Sequence, residues 1–332
     1  MSAVPLPREL QVEVTASCNL RCRMCLVRYR PPLGREEGSL SFARFREIVD
    51  AVPELDRLTL QGLGEPLLAP DLLRMVAYAA GRGVRVGFNT NATLLTRATA
   101  ERLVEAGLDW LCVSLDGATA ATYESIRDGA RFARVERHVR ALMDVIRERR
   151  VERPRVSIVF VAMRHNVAEL PGVVELAAQW GVPVVRVQNL AHSFSDTDPA
   201  GAYGEIRDFT AGEALWQGPD AVAGPAFSDA ERVAAARGVS LRLPRLAAAP
   251  GRRAVGTRGC DWPWNSAYVR HDGAVQPCCM LMGSDRGVLG DTGREGFGDV
   301  WRGDAYRAFR EALASATPPD VCSGCSMYRG VF

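Results

Sequence analysis

Between residue 10 and about residue 190, short runs of alternating apolar and polar residues take turns with longer stretches whose apolar residues recur at helical spacing. That alternation is the mark of a βα-repeat fold. Strands are predicted at Leu10–Thr15, Arg57–Gln61, Val84–Asn89, Trp110–Asp116, Val156–Val161 and Val184–Gln188. Helices are predicted after Ser41 (before FARFREIVDAV), Asp71 (before LLRMVAYAA) and Thr96 (before RATAERLVEAG). Each of these side chains can accept from a free N–H in a first helical turn. Arg131–Arg150 and Asn166–Trp180 are further helical stretches, ahead of the fifth and sixth strands.

Parallel strands covered on both faces read as continuous apolar runs, and these do not. By the two-residue period, one face collects Val12, Val14, Leu58, Leu60, Val86, Phe88, Leu111, Val113, Leu115, Ile158, Phe160, Val185 and Val187. The other collects Gln11, Glu13, Thr59, Gln61, Arg85, Asn89, Cys112, Ser114, Asp116, Ser157, Arg186 and Gln188. A closed eight-stranded barrel fills its interior with branched apolar side chains. A polar inner face on six strands therefore predicts a wider, incomplete barrel around a polar ligand. A one-sided sheet facing solvent competes with this, but helices between the strands count against it.

Beyond the sixth strand the pattern weakens. Residues 190–225 are rich in Gly, Ala, Pro and Asp and are predicted to be a long loop acting as lid or bridge. The capping box Ser228-x-x-Glu231 predicts a helix start, and Val239–Leu243 a strand. His271-Asp272-Gly273, between YVR and AVQP, predicts a hairpin with a type I′ turn, and a helix is expected from about Asp304.

Composition narrows the partners. The chain has 332 residues, 47% apolar and 24% charged, which suits a globule with a large core. Forty-one basic against thirty-nine acidic side chains leave a net charge of +2, so neither nucleic acid nor an anionic membrane is an expected partner. Every base is arginine, which removes Schiff-base and amine chemistry. No run reaches membrane-spanning length and no signal-peptide core is present. Nine cysteines in such a chain point to reduced thiols serving metals in the cytoplasm.

Three of those cysteines lie directly behind the first strand, in Cys18-Asn-Leu-Arg-Cys22-Arg-Met-Cys25. Thiolates so spaced on one loop can hold three corners of a cubane iron–sulfur cluster and leave the fourth iron open. Structural zinc needs four closed ligands, and no further Cys or His stands nearby.

This loop resembles the signature of the radical S-adenosylmethionine (SAM) enzymes. In that family SAM chelates the open iron, and one electron splits it to methionine and a 5'-deoxyadenosyl radical that abstracts hydrogen from carbon. The resemblance implies a partial (β/α)6 TIM-like barrel over residues 1–192. It also implies SAM contacts from Gly64 and Glu65 in Gln61-Gly-Leu-Gly-Glu65-Pro, the carboxylate receiving the SAM amine. Ser114 in Val113-Ser-Leu-Asp-Gly117 would lie near SAM, Arg127 in the turn after Tyr123 would pair with its carboxylate, and Asn91 is a further contact. Flavodoxin or ferredoxin is the implied one-electron donor.

The tail carries a second set: Cys260, twelve residues, Gly273, four residues, Cys278, then Cys322-Ser-Gly-Cys325. The hairpin would bring Cys260 and Cys278 together, and the last helix would return Cys322 and Cys325. This arrangement resembles the "twitch" domain, the shorter relative of the SPASM domain. It implies a C-terminal hairpin-plus-helix iron–sulfur domain over 256–332, joined by a bridging segment over 193–255. The chain ends seven residues after Cys325, so one auxiliary [4Fe–4S] cluster is expected, two clusters in all. Zinc on the same thiolates is the competing reading, and Cys279 competes with Cys278 as ligand.

By analogy with the twitch dehydrogenase that oxidises an aminocyclitol alcohol, the expected reaction is dehydrogenation of a small polar metabolite, the auxiliary cluster accepting an electron. Epimerisation, with Cys112 donating hydrogen, and peptide modification are the alternatives. Only seventeen residues precede Cys18, which counts against a leader-binding segment for a peptide. Substrate-side candidates are Arg186, Gln188 and Glu13 on the inner face, with Tyr29 and Arg30; an Arg186–Glu13 salt bridge is the plain alternative. His165, His192 and His271 are loop histidines with no assigned role.

Overall fold

The computed structural model describes residues 4–29, 38–217, 221–247, 260–281, 283 and 286–332. Seven strands run parallel in one sheet: β1 (Glu9–Val12), β2 (Arg57–Thr59), β3 (Arg85–Thr90), β4 (Trp110–Ser114), β5 (Arg155–Ala162), β6 (Val184–Asn189) and β7 (Ser240–Arg242). Helices Phe42–Asp50, Leu72–Gly81, Arg97–Glu105, Phe132–Glu148 and Leu170–Trp180 cross between the first six. The predicted apolar face is buried against them, with Val12, Leu58, Val86, Phe88, Leu111, Ile158, Phe160 and Val185 shielded from solvent. Ser41 and Thr96 cap their helices, accepting from the N–H groups of Arg44 and Thr99. Asp71 does not cap: its carboxylate accepts from Phe42 N–H and pairs with Arg74, tying two helices together.

Three expectations change. The stretch 190–225 is not one loop, because Gly204–Glu213 is helical and another helix, Ala223–Arg237, already runs by Ser228. The capping box therefore sits inside that helix, where Ala-rich sequence on both sides favours continuation. Residues 120–126 form a helix, and Arg127 is its C-cap residue. The hairpin of β8 (Ser266–Val269) and β9 (Ala274–Gln276) does not use a type I′ turn, since of its central residues only Gly273 has positive φ. Asp272 instead accepts from Ala274 N–H and pairs with Arg270.

That hairpin extends the barrel sheet. β8 pairs parallel with β1, and β10 (Gly290–Asp291) adds beyond β9, giving the order β10-β9-β8-β1-β2-β3-β4-β5-β6-β7. The end strands do not pair, so the sheet stays open. Its inner face is layered. At the strand starts the Trp110 ring lies across Gly87, with Cys112 and Val159 packed against it and the Arg57 guanidinium 4.9 Å from its centre. A Cβ on Gly87 would overlap that ring and the Trp110 carbonyl. This layer floors the barrel, and the polar residues above it face a cavity.

Gly87→Ala is expected to lower unfolding stability by about 1–3 kcal/mol through overpacking, measured by urea denaturation.

Candidate functional site

The cavity, about 430 Å³, opens at the carboxyl ends of the strands. Gln11, Asn89, Ser114 and Gln188 from four strands, with Glu13 and Gln61 just past the ends of β1 and β2, line it, as does Cys25. From the tail come Tyr268, His271, Cys279 and Met327. Cys25 of the first cysteine set and Cys279, next in sequence to Cys278 of the second, therefore border one void.

The amino-terminal loop is seated by bonds that local sequence does not announce. Asn91 donates to Asn19 (2.9 Å), and Asn19 donates to Thr93 (2.7 Å). Arg21 and Arg23 N–H groups donate to the carbonyls of Asp128 and Ile126, acceptors left over at the end of helix 120–126. Gly64 approaches so closely that a Cβ would meet the Thr15 and Ser17 carbonyls. Its role is close packing against the cluster loop.

Glu65 differs from expectation. Its buried carboxylate accepts from Thr90 Oγ1 (2.6 Å), Asn91 N–H (2.8 Å) and Leu67 N–H (3.2 Å), and it does not line the cavity. Burial pushes its pKa up, while these donors pull it back. It braces the ends of β2 and β3, which leaves the backbone of 61–63 to face the void. Arg127 is likewise committed: Nε and Nη2 hold Asp116 at 2.7 and 2.6 Å, and Nη1 lies 3.8 Å from Cys22 Sγ. Asp116 also accepts from Val161 N–H at 2.8 Å, so it points away from the lumen where the strand period placed it.

Burial pushes the Cys22 thiol up to about 12, against the pull of Arg127. Metal would therefore displace a proton there. Three thiols on one loop with a guanidinium beside them fit an iron–sulfur cube. In the tail, Cys325 interacts with Cys260, Cys278, Cys279 and Cys322. Ser326 N–H donates to the Ala191 carbonyl, and Ser193 N–H to that of Gly324, fixing the CxxC to the loop after β6. Among the described residues no three His, Cys, Asp or Glu side chains are grouped to grip a single metal ion.

The remaining candidates divide. Gln188 faces the cavity. Cys112 and Arg186 do not line it: Cys112 lies in the floor layer, 3.1 Å from Ser157 Oγ, and Arg186 Nε is buried with no hydrogen-bond partner among the described residues. Tyr29 donates to the Arg23 carbonyl (2.6 Å), and Arg30 lies outside the described residues. Glu13 forms no salt bridge with Arg186; it holds His271 Nδ1 at 2.9 Å. His192 is buried and fixed between Val321 O and Phe194 N–H, while His165 lies at the surface 3.4 Å from Ser125.

Residues 12–177 match the radical SAM superfamily, and 260–326 match an iron–sulfur cluster-binding (SPASM) domain. The chain belongs to the radical SAM superfamily, and its cofactors are SAM and iron–sulfur clusters. It is 26% identical, over 96% of its length and 87% of the relative, to a tungsten-containing aldehyde ferredoxin oxidoreductase cofactor-modifying protein of Pyrococcus furiosus. It is 28% identical, over 97% of its length and 83% of the relative, to an AdoMet-dependent heme synthase of Oleidesulfovibrio alaskensis. Its fold matches Streptococcus suis SuiB bound to the precursor peptide SuiA, with TM-score 0.71 at 16% identity, covering 99% of this chain and 71% of that one. No described helix is long and apolar enough to cross a membrane.

Arg127→Met should destabilise the fold by about 3–5 kcal/mol, because Asp116 stays buried without its partner; adding Asp116→Asn should recover part of that loss in urea melts. The Glu13–His271 bond predicts a pH window. Burial pushes Glu13 up, but His271 and Leu63 N–H lower it below its ordinary 4.5. Burial pushes His271 down, but Glu13 raises it above 6.5. The stabilisation is lost as pH falls through the lowered value or rises through the raised one. The Tm gap between wild type and Glu13→Gln should therefore be widest between 4.5 and 6.5 and shrink toward alkaline pH.

Proposed function

We propose that the protein carries out a two-electron oxidation of a substrate held between two [4Fe–4S] clusters, one on Cys18, Cys22 and Cys25, the other on Cys260, Cys278, Cys322 and Cys325. The observation that carries this is the shared void: Cys25 from one set and Cys279 beside the other line the same cavity. When bound, SAM and the first cluster supply a hydrogen-abstracting carbon radical, and the second cluster supplies an acceptor for the electron left behind.

The chain's own residues set the conditions. Gln11, Gln61, Asn89, Ser114 and Gln188 give the cavity neutral donors and acceptors, which suits a polar substrate and the zwitterionic end of SAM without a fixed counter-charge. Arg127 steadies the Cys22 thiolate, and Asp116 keeps that guanidinium in place. Glu65, Asn91 and Gly64 hold the loop against the strand ends. The Trp110 layer keeps the floor closed. A peptide substrate is the second reading, favoured by the likeness to SuiB, which was captured with its precursor peptide.

The test supplies anaerobically reconstituted, dithionite-reduced protein with SAM and a desalted extract containing metabolites and peptides, and follows products by mass spectrometry. Wild type should yield a compound lighter by two hydrogens, and Cys322→Ala should lower that product per 5'-deoxyadenosine by about tenfold or more. A product of unchanged mass carrying solvent deuterium would turn the assignment to epimerisation. An undiminished product ratio in Cys322→Ala would remove the electron-acceptor role.

A further inference from the structure

The turn after β8 sends one side chain back toward the barrel. His271 Nδ1 lies 2.9 Å from Glu13 Oε2, and Glu13 Oε1 accepts from Leu63 N–H at 2.9 Å. Gly62 leaves the space this carboxylate fills, since a Cβ there would overlap it. Gly38 lies flat against the far edge of the imidazole, where a Cβ would come within 2.9 Å of Cδ2. The ring is thus fixed in orientation, with Nδ1 committed as donor to Glu13. Nε2 has no hydrogen-bond partner among the described residues, and His271 lines the cavity.

The other titratable groups on the cavity wall are already committed. His192 accepts from Phe194 N–H through Nδ1 and faces the Val321 carbonyl at 2.6 Å through Nε2, and burial pushes it down to about 4. Arg270 pairs with Asp272 at 2.6 Å. Burial holds Tyr268, which lies against Glu13, well above the phenol range. Cys25 belongs to a cluster set, and Cys279 stands among the tail thiols. The chain has no lysine.

We propose that His271, oriented by Glu13, accepts the proton released when the substrate is oxidised; this rests on the oxidative reading above. The substrate would carry an O–H or N–H on the reacting carbon. The carbon's hydrogen atom goes to the 5'-deoxyadenosyl carbon, one electron goes to the tail cluster, and the heteroatom proton goes to His271 Nε2 as a C=O or C=N bond forms. A carboxylate holding the far nitrogen of an imidazole both fixes its tautomer and strengthens it as a base. The charged groups facing His271 are Glu13, just past the end of β1, and Arg270 and Asp272 from its own turn; Gly38, the described residue packed on its ring, adds none.

Two readouts test this. In the first, reconstituted protein without substrate is treated with diethyl pyrocarbonate between about pH 5.5 and 8.5, a range that brackets histidine's ordinary value, and modified peptides are mapped by mass spectrometry. His271 should be carbethoxylated, with a midpoint that moves to lower pH in Glu13→Gln. A His271 that is inert in the native protein yet reactive after unfolding overturns the proposal. In the second, the same extract, SAM and dithionite are used with His271→Gln. Product two hydrogens lighter, per 5'-deoxyadenosine, should fall by about a hundredfold, and added imidazole should restore part of it. Glu13→Gln should move the pH midpoint of that ratio downward, with iron and sulfide content as the check that both variants fold. A wild-type ratio from His271→Gln overturns this role alone. No lighter product from wild type overturns the oxidation and this role together.

Discussion

The seat of the amino-terminal cysteine loop depends on two buried charges. Asp116, fully shielded at the end of β4, accepts from β5 through Val161 N–H and holds Arg127, whose third nitrogen reaches Cys22. Neither charge would be tolerated alone at that depth, because stripping an ion of water costs several kcal/mol unless its partner and hydrogen bonds compensate. Together they fasten β4, β5, the helix 120–126 and the cysteine loop at one point. The rest of the loop's frame, from Asn19 through Asn91 and Thr93 to Glu65, is built of neutral or singly charged groups arranged around that point.

The tail is attached to the barrel rather than hung from it. β8 lies beside β1, Trp301 donates to the Pro5 carbonyl, and Asn189 at the end of β6 donates to the Val331 carbonyl. Backbone pairing between His192 and Cys325 adds a contact on the opposite side. The open sheet is therefore held by the same segment at two separate places, which is why Cys25 and Cys279, 254 residues apart in sequence, come to border a single void.

Much of the barrel was legible because its signal is local and periodic. Alternation along β1 to β6 follows from one face packing on helices and the other on a polar interior, and the Ser41 and Thr96 caps act within one turn of their helices. What escaped is non-local. The Glu13–His271 bond joins residues 258 apart, and nothing near either one marks the other. Glu65 sits in the expected motif, yet its carboxylate turns into the scaffold because Thr90 and two backbone N–H groups outcompete an open cavity. Cys112 has the expected strand phase, but it is part of the floor layer itself, which only the pairing of Gly87 with Trp110 reveals. The helix 204–213 escaped because glycine and polar residues dilute its periodicity.

That indole floor makes the barrel a blind alley. The Trp110 ring occupies the space that Gly87 leaves bare, so a ligand finds no room beside it at the strand starts.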